Sequence, residues 1–179
     1  MLMWYGWKLF FRQRNGESQF VKARKMKDVI HIKPHHFINI ITYFGEGVVE
    51  FEPHPYGHAV HSVAAEILGN RNVVLQMTFG SDDICKPCKH NIDGVCDDEI
   101  DISHRPLAPS LKREWNLLLD ERWCERLNIQ EGRRLTAFDF CKLLQHDMGN
   151  ITDIYREISV YRTAERAEKL QNGIVKFLQ

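Results

Sequence analysis

Three cysteines at C-x2-C-x7-C spacing, Cys85, Cys88 and Cys96, sit in a run of Lys, Pro, Asn, Asp and Gly that extends from Asp82 to Cys96. The run has no apolar period and carries several turn formers, which makes it a loop. Two cysteines three apart on a turn can aim both sulfurs at one centre, and Pro87 between them fixes φ there. Gly94 then lets the chain fold back so that Cys96 can close on the same point. Thiolates in so polar a loop pack badly, but they ligate zinc or an iron–sulfur cluster well. The competing reading is a disulfide between Cys85 and Cys88, which leaves Cys96 unpaired. A metal or cluster held by Cys85, Cys88 and Cys96 is therefore the expectation around which the rest of the chain is read.

At 179 residues the chain can bury a core without staples, and a single domain is expected. Five cysteines in such a length do not form a secreted disulfide framework. The start, Met1 to Arg12, is apolar but broken by Gly6 and Lys8, and it lacks the basic flank and cleavage site of a signal peptide. No run approaches the roughly 20 apolar residues needed to span a bilayer. A cytoplasmic location, where thiols stay reduced, is the expectation. Formal charge balances at 24 basic and 24 acidic residues, but unevenly: residues 1–27 carry seven Lys/Arg against Glu17 alone. Nucleic acid is one partner for such a basic aromatic segment. With no nucleic-acid motif beside it, a solvated sheet face is preferred.

Residues 5–13 and 18–24 are strand-like on either side of Asn15-Gly16, the residue pair of a type I′ turn, so a basic β-hairpin is predicted there. Val29-Ile30-His31-Ile32 reads as a third strand. Lys33 precedes Pro34 and is biased to extended backbone, while Pro34 suits the first helical position. A helix over 34–44 follows, with Phe37, Ile40, Ile41 and Phe44 as its apolar stripe and His35 and His36 in its first turn. A second helix over 57–68 ends at Gly69, and residues 72–79 read as a buried strand that leads into the cysteine loop. Strand, two helices, strand is a crossover, which predicts parallel strands at 29–32 and 72–79. Both carboxyl ends then lie at one sheet edge, bringing His35 and His36 close to Cys85. Helices are expected over 110–127, 136–148 with Thr136 as N-cap, and 151–178 with a break near 158–162. Cys124 and Cys141 fall within helical patterns and read as packing. The fold class expected is α+β: a small mixed sheet, built from the hairpin and two strands joined by a helical crossover, with helices at the carboxyl end.

Three thiolates leave one ligand position for a histidine. Cys3His is a closed structural zinc set, and a cubane cluster could take His or an exogenous ligand at its fourth iron. Adjacent side chains diverge by about 100° on a helix, so one of His35 and His36 would ligate and the other would serve as an acid/base or supporting group. Asp82 and Asp83 are candidates for orienting such a histidine. His54, His58 and His61 form a second cluster, with His58 and His61 at i, i+3 and without an evident acidic partner.

Pro34-His35-His36, then Ile41-Thr42-Tyr43-Phe44-Gly45-Glu46-Gly47, then Asp82-Asp83-Ile84-Cys85 with Cys88 and Cys96, resembles a small bacterial and archaeal family of unassigned function that is described as iron–sulfur binding. The resemblance covers about residues 28–148, including Leu127 to Gly132 and Leu135 to Phe138. It implies a metal-binding core there, with the basic hairpin of 1–27 and a helical tail of 149–179 as additions. Family members often carry a cysteine three residues after the second histidine, where this chain has Asn39. That leaves three thiolates with His36 or His35, or an open position. The resemblance implies an iron–sulfur protein (4Fe-4S) that binds a small molecule or passes electrons to a redox partner. A zinc-stabilised binding module, with the hairpin recruiting a protein or nucleic acid, is the alternative. A metal-dependent hydrolase using His35, His36, Asp82 and Asp83 is a third reading.

Overall fold

The structure is a computed structural model that describes residues 29–179; the basic hairpin expected over 5–24 lies outside the described residues. Strand β1 (Val29–Ile32) leads through Lys33 into helix α1 (Pro34–Gly45), and helix α2 (Val60–Gly69) leads to strand β2 (Val74–Met77). β1 and β2 are parallel, with Val29 opposite Val74 and Ile32 opposite Met77, so the crossover reading of this region holds. A short strand β5 (Arg134–Thr136) adds antiparallel to β2, making a mixed sheet in the order β1-β2-β5. Strands β3 (Asn91–Ile92) and β4 (Val95–Cys96) form a separate hairpin within the cysteine loop. Helices α3 (Lys112–Leu127), α4 (Ala137–Asp147) and α5 (Val160–Leu178) complete an α+β fold. None of the described helices is long and apolar enough to cross a membrane.

α1 is buried almost all round, since Phe37, Ile38, Ile40 and Ile41 are at most 1% exposed. Each such side chain contributes about 1.5–3 kcal/mol of burial. One side of α1 meets α5 at very close range: a Cβ on Gly173 would lie 1.9 Å from the Ile41 carbonyl oxygen. Only glycine permits that crossing, and Leu170, Ile174 and Phe177 of α5 join the same core as α1. The carboxyl-terminal helix is thus packed into the body of the protein.

Thr136 caps α4 as expected, accepting the Asp139 N–H at 3.0 Å. α2 begins at Val60, later than predicted, because Gly57 takes φ +75° and the Ala59 N–H is used by the Ile84 carbonyl. His58 therefore precedes the helix, and the i, i+3 relation with His61 does not apply. Cys124 and Cys141 are buried packing residues; burial pushes the Cys124 thiol up to about 12 and the Cys141 thiol higher.

Candidate metal centre

The parallel register puts the carboxyl ends of β1 and β2 at the same edge, and the segment after β2 fastens onto the residues after β1. The Asp83 N–H donates to the His31 carbonyl at 3.0 Å, and the His31 N–H donates to the Asp83 carboxylate at 3.1 Å. The Lys33 N–H donates to Asp82 at 3.0 Å. Lys33 is extended (φ −74°, ψ 141°), as the residue before Pro34 must be, and α1 springs directly from it. His36, in the first turn of α1, is thereby delivered to the Asp82–Cys85 segment.

Asp82 is the hub of this edge. One carboxylate oxygen accepts the Ile84 and Cys85 N–H groups at 3.1 and 2.8 Å. The other accepts the Lys33 N–H and lies 2.7 Å from His36 Nδ1. Burial alone would raise its pKa, but the charge of His36 and these hydrogen bonds hold it well below the usual carboxylate range. Four donors fill the roughly four lone-pair sites of an ionised carboxylate, so Asp82 orients its neighbours and has little left for a metal. With Asp82 ionised, the His36 Nδ1 is the donor in this bond, which sets the orientation of the ring. His36 is half-buried, at 17% side-chain exposure.

His36, Asp82 and Cys85 are the one group of three among the described residues whose metal-ligating atoms all lie within 4.8 Å of one another. Lys33, itself buried, places its ammonium 3.7 Å from the Cys85 sulfur. Burial pushes the Cys85 thiol up to about 12 and the Asp82 charge adds to that, while Lys33 partly offsets both. A metal ion would displace that proton outright.

All three loop cysteines are free and half-buried. The Cys88 N–H closes a turn onto the Cys85 carbonyl at 2.9 Å. The hairpin β3–β4 then reverses at Asp93 (φ 49°) and Gly94 (φ 86°), returning Cys96 opposite Asn91. Cys88 and Cys96 stand outside the group formed by His36, Asp82 and Cys85.

The other residues expected at the site have distinct partners. His35 turns to α3, where its backbone N–H and Nδ1 both meet Asp120 at 2.8 Å. Burial lowers its pKa more than Asp120 raises it, so His35 is held neutral. Its ring lies 4.3 Å from that of His36. Asp83 accepts from the Lys86 ammonium at 2.7 Å and from the His31 N–H at 3.1 Å. Asn39 accepts a hydrogen bond from Arg166 of α5. Asp120 carries no sequence signal: it flanks the apolar stripe of Trp115, Leu119 and Trp123, and nothing in its spacing marks it as 1% exposed. Comparison of the chain with models of protein families, with curated proteins and with solved structures finds no match.

Proposed function

We propose that this protein is a metal-centre protein, in which Cys85, Cys88 and Cys96, with His36 beside them, hold an iron–sulfur cluster. The carrying observation is the closeness of the His36 ring nitrogen and the Cys85 sulfur, two soft-to-borderline donors within 4.8 Å of each other and braced by an ionised aspartate. A single tetrahedral zinc, with sulfurs at about 2.3 Å, would hold its thiolates about 3.8 Å apart. The three loop sulfurs do not make such a set, and the compact group has one sulfur only. A cluster distributes its thiolates over separate irons and tolerates the wider spacing. When bound, the cluster would supply electron transfer or a Lewis-acidic iron for a small substrate.

The chain's own residues have definite parts in this reading. The Cys85–Cys88 turn and the β3–β4 hairpin present the thiolates, Asp82 fixes the His36 tautomer, and the buried Lys33 ammonium offsets thiolate charge. Zinc is the second reading, supported by the turn in which the Cys88 N–H meets the Cys85 carbonyl and by the nearness of His36 to Cys85. It would make the region a binding module with the basic amino-terminal segment as its recruiting surface. Anaerobic purification with visible spectroscopy separates the two. Wild-type protein is expected to be brown, and Cys96→Ser to lose the charge-transfer absorption. Colourless wild-type protein that contains zinc would transfer the site to the second reading.

A further inference from the structure

Near its start, α5 carries two polar groups that the core leaves without partners. Thr163 is 2% exposed, and its hydroxyl makes no hydrogen bond. A buried helical threonine can close its hydroxyl onto the carbonyl four residues back, as Thr42 does on Ile38 at 2.7 Å. Thr163 makes no such bond. Arg166 lies three residues on, beside it on the same helix face, and its buried Nε–H has no acceptor either. Buried donors in that state are costly unless a ligand or water meets them.

Arg166 is held in place but not neutralised. Its guanidinium carbon lies 4.6 Å from the centre of the Tyr155 ring, and Trp123 fixes that ring by donating to the Tyr155 hydroxyl at 3.1 Å. Nη2 donates to Oδ1 of Asn39 on α1, the one hydrogen bond that Arg166 makes among the described residues. No carboxylate among them pairs with it, whereas Arg122 and Arg126 on α3 each pair with one, at 2.7 and 2.6 Å. The acids on adjoining segments have other partners. Glu157 holds Arg122, Glu46 takes Lys169 at 2.7 Å, and Glu165 takes the Tyr161 hydroxyl. Because Oδ1 is the engaged atom of Asn39, its amide N–H donors remain. Asn39 and Arg166 are half-buried, so a ligand can reach them from solvent.

The groups without partners here are all donors, and they surround a single cation. Their complement is a group that only accepts and carries one negative charge. We propose that Arg166, Thr163 and Asn39 bind the carboxylate of a small molecule, its two oxygens on the guanidinium fork. This site stands or falls independently of the metal-centre reading. Isotope-labelled full-length protein is titrated with acetate and with inorganic phosphate, following the Arg166 Nε–H resonance, which is assigned by its loss in Arg166→Lys. Acetate is expected to shift that resonance saturably, and phosphate, whose second charge is not met, to bind more weakly. Arg166→Lys keeps the charge without the fork, and Thr163→Val keeps the shape without the hydroxyl. Read at the Asn39 side-chain amide, acetate binding is expected to weaken about tenfold in Arg166→Lys and less in Thr163→Val. A wild-type Nε–H resonance unmoved at high millimolar acetate overturns the site, and decides the matter even where a variant does not fold. Wild-type affinity in both variants also overturns it, and tighter binding of phosphate than of acetate overturns the carboxylate assignment.

Discussion

His35 and His36 are neighbours on one helix, and each meets an aspartate through Nδ1, at 2.8 and 2.7 Å. The two pairs nevertheless do different work. His35 and Asp120 are both sealed, at 3% and 1% side-chain exposure, and two hydrogen bonds join the start of α1 to the middle of α3. His36 faces the cysteine loop, and its aspartate is held by three backbone N–H groups from both sheet-edge segments. The same pair of residue types is a helix clasp in one case and, in the proposed reading, a braced ligand in the other. Burial separates them, with His36 at 17% side-chain exposure against 3% for His35.

Substitutions sharpen this contrast. Asp120→Ala leaves a buried imidazole and a buried backbone N–H without an acceptor, and is expected to cost about 3 kcal/mol or more. Urea unfolding measures that loss, and metal content per folded molecule should not change. Asp82→Asn is expected to cost about 2 kcal/mol, and also 10–100-fold in metal affinity, because the His36 tautomer is no longer fixed. Competition with a chelator reads the second effect; an unchanged affinity would reduce Asp82 to a structural role. Glu157 gives a carboxylate clasp without histidine: it pairs bidentately with Arg122, also on α3, at 2.7 and 2.8 Å. Glu157→Gln should cost about 1–2 kcal/mol. The Arg122 hydrogen bond lowers the Glu157 pKa, so this contribution is present above the unfolded carboxylate value and fades as pH falls through the folded one. Unfolding of wild type and variant compared at pH 7 and near pH 3 checks that sign. His36→Gln should change stability least, within about 1 kcal/mol given its partial exposure, yet lose metal.

Much of this edge could be read from residues alone. Pro34 after Lys33 fixed where α1 starts, and strand–helices–strand order required the parallel β1–β2 pair that joins His36 to Cys85. Gly94 marked the reversal that returns Cys96. Other features depend on tertiary packing and leave no local trace. Asp120 is buried because α3 lies against α1, and β5 is only three residues long, a pairing too short to show a period. The pattern of α2 predicts a helix that includes His58, whereas the bond from Ala59 to Ile84 delays the start to Val60.

The central claim is an inorganic centre on the cysteine loop beside His36. Iron, acid-labile sulfide and zinc assayed together on anaerobically purified protein test it most directly. The account predicts about four irons and four sulfides per chain, both lost in Cys96→Ser. Protein that folds to the same stability with neither iron nor zinc, and takes up none on reconstitution, would contradict it.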